Sequence, residues 1–98
     1  MGEKIVEFHP EALEEAAAAR DWYAERSAVA SRAFVSELTN AVEQVVETPE
    51  MWPSYEESTR RYVFPRFPFS LIYRASEDKI QIIAVAHSKR KPRYWKKR

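Results

Sequence analysis

The chain contains no cysteine. Disulfides and thiolate metal sites are excluded, and nothing in the composition calls for an oxidising compartment. The single glycine is Gly2, so no glycine-rich loop is present to cradle a phosphate. The two histidines, His9 and His87, lie too far apart in sequence to suggest a metal site, and neither a metal nor another cofactor is expected. No apolar run approaches the roughly 20 residues that span a bilayer. Met1 to Phe8 carries Glu3 and Glu7 and lacks an apolar signal core, so no export signal is visible. A cytoplasmic protein without a membrane partner is the expectation.

What is present is ordinary globular material. Of 98 residues, 45% are hydrophobic and 13% aromatic, enough for one domain across 1–98 and too few for two. A chain this short buries only about 60–65% of its unfolded surface, so each large side chain should matter. The net charge of +1 hides an asymmetry. Residues 1–57 hold 13 acidic and 4 basic side chains, a net of −9; residues 58–98 hold 12 basic and 2 acidic, a net of +10. Ser88 to Arg98 carries seven Lys/Arg and no acid. Such an end suits an anionic partner, whether nucleic acid or an acidic protein segment; a solvated tail explains it equally.

Lys4 to Phe8 reads as a short strand. Pro10 suits the first turn of a helix, with Glu11, Glu14 and Glu15 near its positive end. Leu13, Ala16, Ala17 and Ala24 supply an apolar stripe with Tyr23 on its edge, and the run Ala16 to Ala19 permits close packing. A second helical stripe, Ala30, Phe34, Leu38, Ala41, Val42 and Val45, ends near Thr48 because Pro49 disfavours helix in the residue before it. Two such helices with a short connection make an antiparallel hairpin. Residues 49–59 read as a loop, with Trp52 tucked inward as a lid.

The remainder is strand-like. Arg60 to Phe64 alternates and stops at Pro65. Phe67 to Arg74 places Phe69, Leu71 and Tyr73 on one face. Ser76 to Asp78 is a turn. Ile80 to His87 is almost continuously apolar, as a strand covered on both faces would be. The fold class is therefore two-layer α+β. An N-terminal strand and an antiparallel helical hairpin precede a three-stranded antiparallel segment that completes a curved sheet, and a basic C-terminal tail (87–98) follows.

The order of elements, the Trp22–Tyr23 pair, Pro49 with Trp52–Pro53, the strands FPFSLIYR and IQIIAVAH, and the terminal His87, Arg90, Pro92, Tyr94 and Trp95 together resemble the RelE/ParE toxin superfamily, on its ParE-like side. The likeness spans nearly the whole chain. It implies the toxin of a type II toxin–antitoxin system, neutralised by a cognate antitoxin protein, with a toxin–antitoxin hetero-oligomer as its resting form. ParE-like relatives poison DNA gyrase; RelE-like relatives cleave mRNA in the ribosome. A third reading is a non-toxic module that binds a partner or nucleic acid.

RNA cleavage needs a base, an acid and cations around one phosphate. The resemblance implies an arginine in the middle of the penultimate strand of nuclease relatives, and here that position is Ser70. Arg61, Arg66 and Arg74 are the candidates to take its place. If the chain is a metal-independent endoribonuclease, the catalytic candidates are His87, Arg90 and Tyr94. His87 equally suits a strand-end residue that fixes the tail by a hydrogen bond, and His9 suits a structural role at a helix start. The candidate target-binding residues are Arg61, Arg74, Lys89, Arg90, Lys91, Arg93, Tyr94 and Trp95, with Arg60 extending the patch. Tyr94 and Trp95 suit either a partner's pocket or packing on the sheet. Trp22, Tyr23, Phe34, Phe69 and Tyr73 read as core.

Overall fold

The structure, a computed structural model, describes residues 4–98. Met1–Glu3, and the part of the N-terminal reading that rests on them, lie outside the described residues. Strand β1 (Ile5–Phe8) leads into helices α1 (Pro10–Ala24) and α2 (Ala28–Glu47). Strands β2 (Ser54–Tyr55), β3 (Thr59–Val63), β4 (Phe69–Ala75) and β5 (Lys79–His87) follow, with a 3-10 turn, Glu56–Ser58, between β2 and β3.

The strands form one five-stranded sheet in the order β1-β5-β4-β3-β2. The hairpins β3–β4 and β4–β5 are antiparallel, as expected. The sheet is nevertheless mixed, because β1 pairs parallel to β5, Val6 facing Ile80. No tight turn joins those two strands, so nothing local dictates an antiparallel pairing. The expected loop at 49–59 also holds the two-residue strand β2, which pairs Ser54 with Arg60. No helix among the described residues is long and apolar enough to cross a membrane.

Both helices start at side-chain caps. His9 Nδ1 accepts from the Glu11 amide at 3.1 Å, the structural role expected of it, and Ser27 Oγ accepts from the Ala30 amide at 3.2 Å. The stripe of α2 is as expected: Phe34, Ala41 and Val45 are fully buried. That of α1 is shifted. Ala12 and Ala19 are buried, with Ala16 and Tyr23 beside them, while Leu13 and Trp22 are exposed. Trp22 is thus not core; it is 52% exposed, with the Arg26 guanidinium stacked 3.6 Å from its ring centre. Small side chains at 12, 16 and 19 let α1 lie close to the sheet, and a leucine on that face would hold it off.

The core between hairpin and sheet is built from Phe34, Leu71, Tyr73, Ile80, Ile82 and Val85. Trp52 covers its edge, edge-on to Tyr62 at 4.7 Å. The Tyr73 hydroxyl donates to the Pro49 carbonyl at 2.6 Å, and burial pushes its pKa up to about 12. On the opposite face a second cluster joins Ile72, Ile83, Ala84 and Trp95. A register shift explains how β5 serves both. Ile72 faces Ala84 and the next residue, Tyr73, faces Ile82, so Ile83 is an extra residue in β5. Ile82 and Val85 point to the helices while Ile83 and Ala84 point away.

One carboxylate lies inside this framework. The Glu37 side chain, 4% exposed, accepts from the amides of Arg66 (2.8 Å) and Phe67 (3.0 Å) and from Arg66 Nε (3.0 Å). It thereby holds the Pro65–Pro68 turn. Burial alone raises the pKa of Glu37, but the Arg66 and Phe67 hydrogen bonds outweigh it and leave it below its ordinary value of 4.5. A lowered folded-state pKa means stability that is present above the unfolded value and is lost as pH falls through the folded one. Glu37→Gln is therefore expected to cost about 1.5–3 kcal/mol at neutral pH, the scale of hydrogen bonds to a charged group. The gap between variant and wild type should narrow below about pH 4. Urea unfolding at both pH values checks this, and equal losses at both would refute it.

Candidate functional site

The tail folds back on the sheet. Ser88 N donates to the Pro68 carbonyl at 2.8 Å, and His87 Nδ1 accepts from the Lys89 amide at 3.0 Å. Beyond Pro92, Trp95 is 2% exposed and packs on Ile72, Ile83 and Ala84, with Tyr55 at 6.1 Å. Trp95 is therefore core, and is not available to a target.

This return leaves a cleft of about 160 Å³ on the sheet face away from the helices. Its floor is Ser70, Ile72 and Ala86, and Tyr55 and Trp95 wall it. Arg61, His87, Arg90 and Lys91 line the rest. Aromatic rings orient two of these cations: the Arg61 guanidinium lies 4.5 Å over Tyr55 and that of Arg90 lies 3.8 Å over Tyr94. Stacking fixes the planar group and leaves its charge uncancelled. A second, more apolar cleft of about 460 Å³ runs between α1 and the end of β4–β5, past Ala18, Trp22, Tyr23 and Phe69. His87, Arg90 and Tyr94 line both clefts and form the partition between them.

Of the sequence-predicted residues, Arg61, His87, Arg90, Lys91, Tyr94 and Trp95 thus meet at one place. The others do not. Arg74 reaches the Glu57 carbonyl (3.0 Å) beside a different cleft, and Arg93 turns to Glu56 and Glu57 at 3.9 and 3.8 Å. Lys89 is exposed, and its side chain is not among the cleft's walls. Arg60 donates to the Trp52 carbonyl at 2.6 Å instead of extending the patch. Arg66 is held by Glu37. Of Arg61, Arg66 and Arg74, it is Arg61 that shares a cleft with Ser70, from the neighbouring strand, where Arg61 pairs with Ile72; Arg90 joins it there from the tail.

Glu15 holds the partition in place, and composition offered no sign of it. Its carboxylate accepts from Val85 N (3.0 Å), Tyr94 Oη (2.7 Å) and both Arg98 terminal nitrogens (2.9 Å each). Arg98 also donates to the Ile83 carbonyl at 3.2 Å. The paired β1 residues end at Phe8, opposite Ile82, so Glu15 and Arg98 satisfy the backbone edge of β5 that β1 leaves open. Burial and the Glu15 hydrogen bond push the pKa of Tyr94 far above its ordinary value. Its proton is committed to Glu15, which makes Tyr94 a poor acid or base near neutral pH.

A helical hairpin across one face of a five-stranded mixed sheet is a ParE-like fold. Residues 6–92 match the family described as the ParE toxin of the type II toxin–antitoxin system parDE, and the chain belongs to that family. Among solved structures it is similar to a chain of the "Chromosomal ParDE TA system from P. aeruginosa". The TM-score is 0.62 and the identity 21%, covering 87% of this chain and 96% of that one. At that identity the likeness speaks for the fold alone. No curated protein sequence matches this chain.

Proposed function

We propose that residues 1–98 form one cytoplasmic toxin domain that poisons a large target, DNA gyrase, and is neutralised by a cognate antitoxin protein. The observation that carries this reading is the cleft between tail and sheet. Arg61, Arg90 and Lys91 present uncancelled positive charge there. The Tyr94 hydroxyl is committed to Glu15, and His87 is oriented through Nδ1 by the Lys89 amide with no second proton-moving group beside it in the cleft that is free to pair with it. Such a surface suits binding better than bond breaking. The Arg61→Ala, Arg90→Ala double variant should keep its fold, since two exposed stacking contacts are worth about 1–2 kcal/mol together. It should lose roughly tenfold or more in potency, the equivalent of about 1.4 kcal/mol of binding. A supercoiling assay with purified gyrase checks both the target and the loss. Undiminished gyrase activity at doses that arrest growth would sink the gyrase reading.

A second reading, a ribosome-dependent endoribonuclease, draws on Arg61, His87 and Arg90 sharing the cleft whose floor holds Ser70. It requires mRNA cuts on translating ribosomes that disappear in His87→Ala. Induction of the chain, with mRNA integrity and supercoiling followed together, separates the two.

A further inference from the structure

Beyond Tyr55, which also walls the cleft under the tail, a cleft of about 640 Å³ opens between the start of β3, the end of β4 and the residue before β1. Buried Tyr73 and Thr59 contribute to its lining, and their hydroxyls are already spent on the Pro49 and Glu56 carbonyls. Three half-buried cations line it: Lys4, Arg60 and Arg74. Each is anchored by backbone oxygen. Lys4 Nζ donates to the Ser76 and Glu77 carbonyls at 2.7 and 2.9 Å. Arg60 donates to Trp52 and Glu50 at 2.6 and 3.2 Å, and Arg74 to Glu57 at 3.0 Å.

None of the three has a carboxylate within 4.0 Å among the described residues. What sets them apart is that they are half-buried: the other half-buried cations among the described residues are paired, Arg98 with Glu15 and Glu11 and Lys79 with Glu7, whereas the remaining cations without a carboxylate, such as Arg61 and Lys91, are exposed. A carbonyl fixes the direction of a cation but cancels little of its charge, and sequestering such a cation without a counter-ion is unfavourable. Glu50 and Glu77 also line the cleft, but both are exposed and their carboxylates stay beyond pairing distance of these cations. One wall carries backbone strain: Glu57 (φ 58°) and Ser58 (φ 60°) are consecutive non-glycine residues in the left-handed region. That geometry costs roughly 1–2 kcal/mol per residue. Arg74 holds the Glu57 carbonyl in it.

We propose that this cleft binds a phosphate group, carried by a small organic phosphate or by the backbone of a nucleic acid strand. Arg60 and Arg74 keep unspent N–H donors in the planar fork that matches phosphate oxygens, and Lys4 adds a third charge. The volume suits a ligand of nucleotide size. The site does not depend on the toxin reading, because none of its cations belongs to the cleft under the tail.

The test uses three probes with the whole chain: inorganic phosphate, adenosine monophosphate and single-stranded oligothymidylate. NMR titration follows the side-chain Nε–H signals of Arg60 and Arg74. The expectation is a saturable shift of both, with affinity lowered about tenfold or more in Arg74→Gln and further in Lys4→Gln, Arg74→Gln. Arg60 is left intact because it anchors the 50–52 loop, and an unchanged amide spectrum shows that the variants fold. Binding of phosphate or the mononucleotide identifies a small-molecule site; binding of the oligonucleotide alone identifies a strand. Lys96→Gln, Lys97→Gln, exposed on the tail, should leave the affinity for all three probes unchanged. No shift with any probe, an affinity indifferent to Lys4 and Arg74, or an equal loss in the tail variant would overturn the proposal.

Discussion

Trp95→Ala should destabilise the chain by about 3–5 kcal/mol, the cost of emptying a buried aromatic site. The side chain is 2% exposed and lies on Ile72, Ile83 and Ala84, the cluster that covers the outer face of β4 and β5. A small domain has about 5–15 kcal/mol in total, so one residue of the tail carries a large share. Thermal or urea unfolding measures it, with Trp95→Phe as a control that refills most of the volume. A loss under about 1 kcal/mol would mean that the tail is not part of the core. The tail therefore cannot be deleted after Ser88 to ask whether it carries toxicity, as the sequence alone invites. Deletion would expose the sheet and unfold the protein, and activity would vanish for an uninformative reason. Point changes at Arg61, Arg90 and Lys91, all at the cleft's surface, are the informative ones.

The second large effect is expected at Glu15. Its side chain is 16% exposed and that of Arg98 is 9% exposed, so the pair is largely out of water. Glu15→Ala would leave the Val85 amide, the Tyr94 hydroxyl and the Arg98 guanidinium without their acceptor. Removing one partner of such a buried pair costs about 3–5 kcal/mol, much of it the penalty of the stranded charge. Arg98→Ala should cost a comparable amount, and the two together clearly less than their sum. Hydrogen exchange at Val85 N should accelerate in Glu15→Ala and much less in Arg98→Ala, because only the first change strips that amide. Additive losses in the cycle, or an unchanged Val85 exchange rate, would show that the network has no cooperative role.

Most of the sheet was legible because β-strand alternation and proline breaks leave local marks. Phe69, Leu71 and Tyr73 stand on one face of β4 as the spacing requires. Helix α2 was legible because Phe34, Val42 and Val45 contrast with polar neighbours. Helix α1 was misphased for the opposite reason: in an alanine-rich run, Ala12–Ala19 is as apolar as Leu13–Ala17. Distant β5, not the helix, decides which face must be small. The same error hid Glu15. It sits three residues after buried Ala12 and four before buried Ala19, inside the stripe, as Glu37 sits between Phe34 and Ala41. A glutamate inside a buried stripe is itself a signal of a buried acceptor, and it was available once the phase was right. The parallel seat of β1, the two-residue strand β2 and the extra residue Ile83 are tertiary outcomes without a local mark. The candidate cleft was half legible. Arg90, Lys91, His87 and Tyr94 are close in sequence, but that Arg61 joins them and Arg74 does not follows from which way two neighbouring strands face.

Because β5 is made last of the strands yet lies between β1 and β4, a nascent chain cannot assemble its sheet as it is made. While ribosomes are still adding β4, the hairpin has no central strand to lie on and β1 has nothing to pair with. Closing that pairing joins residues more than seventy positions apart, the kind of non-local step that slows folding. Synthesis must run almost to Arg98 before any molecule can complete its fold, because the last strand and the tail that covers it close both faces of the sheet.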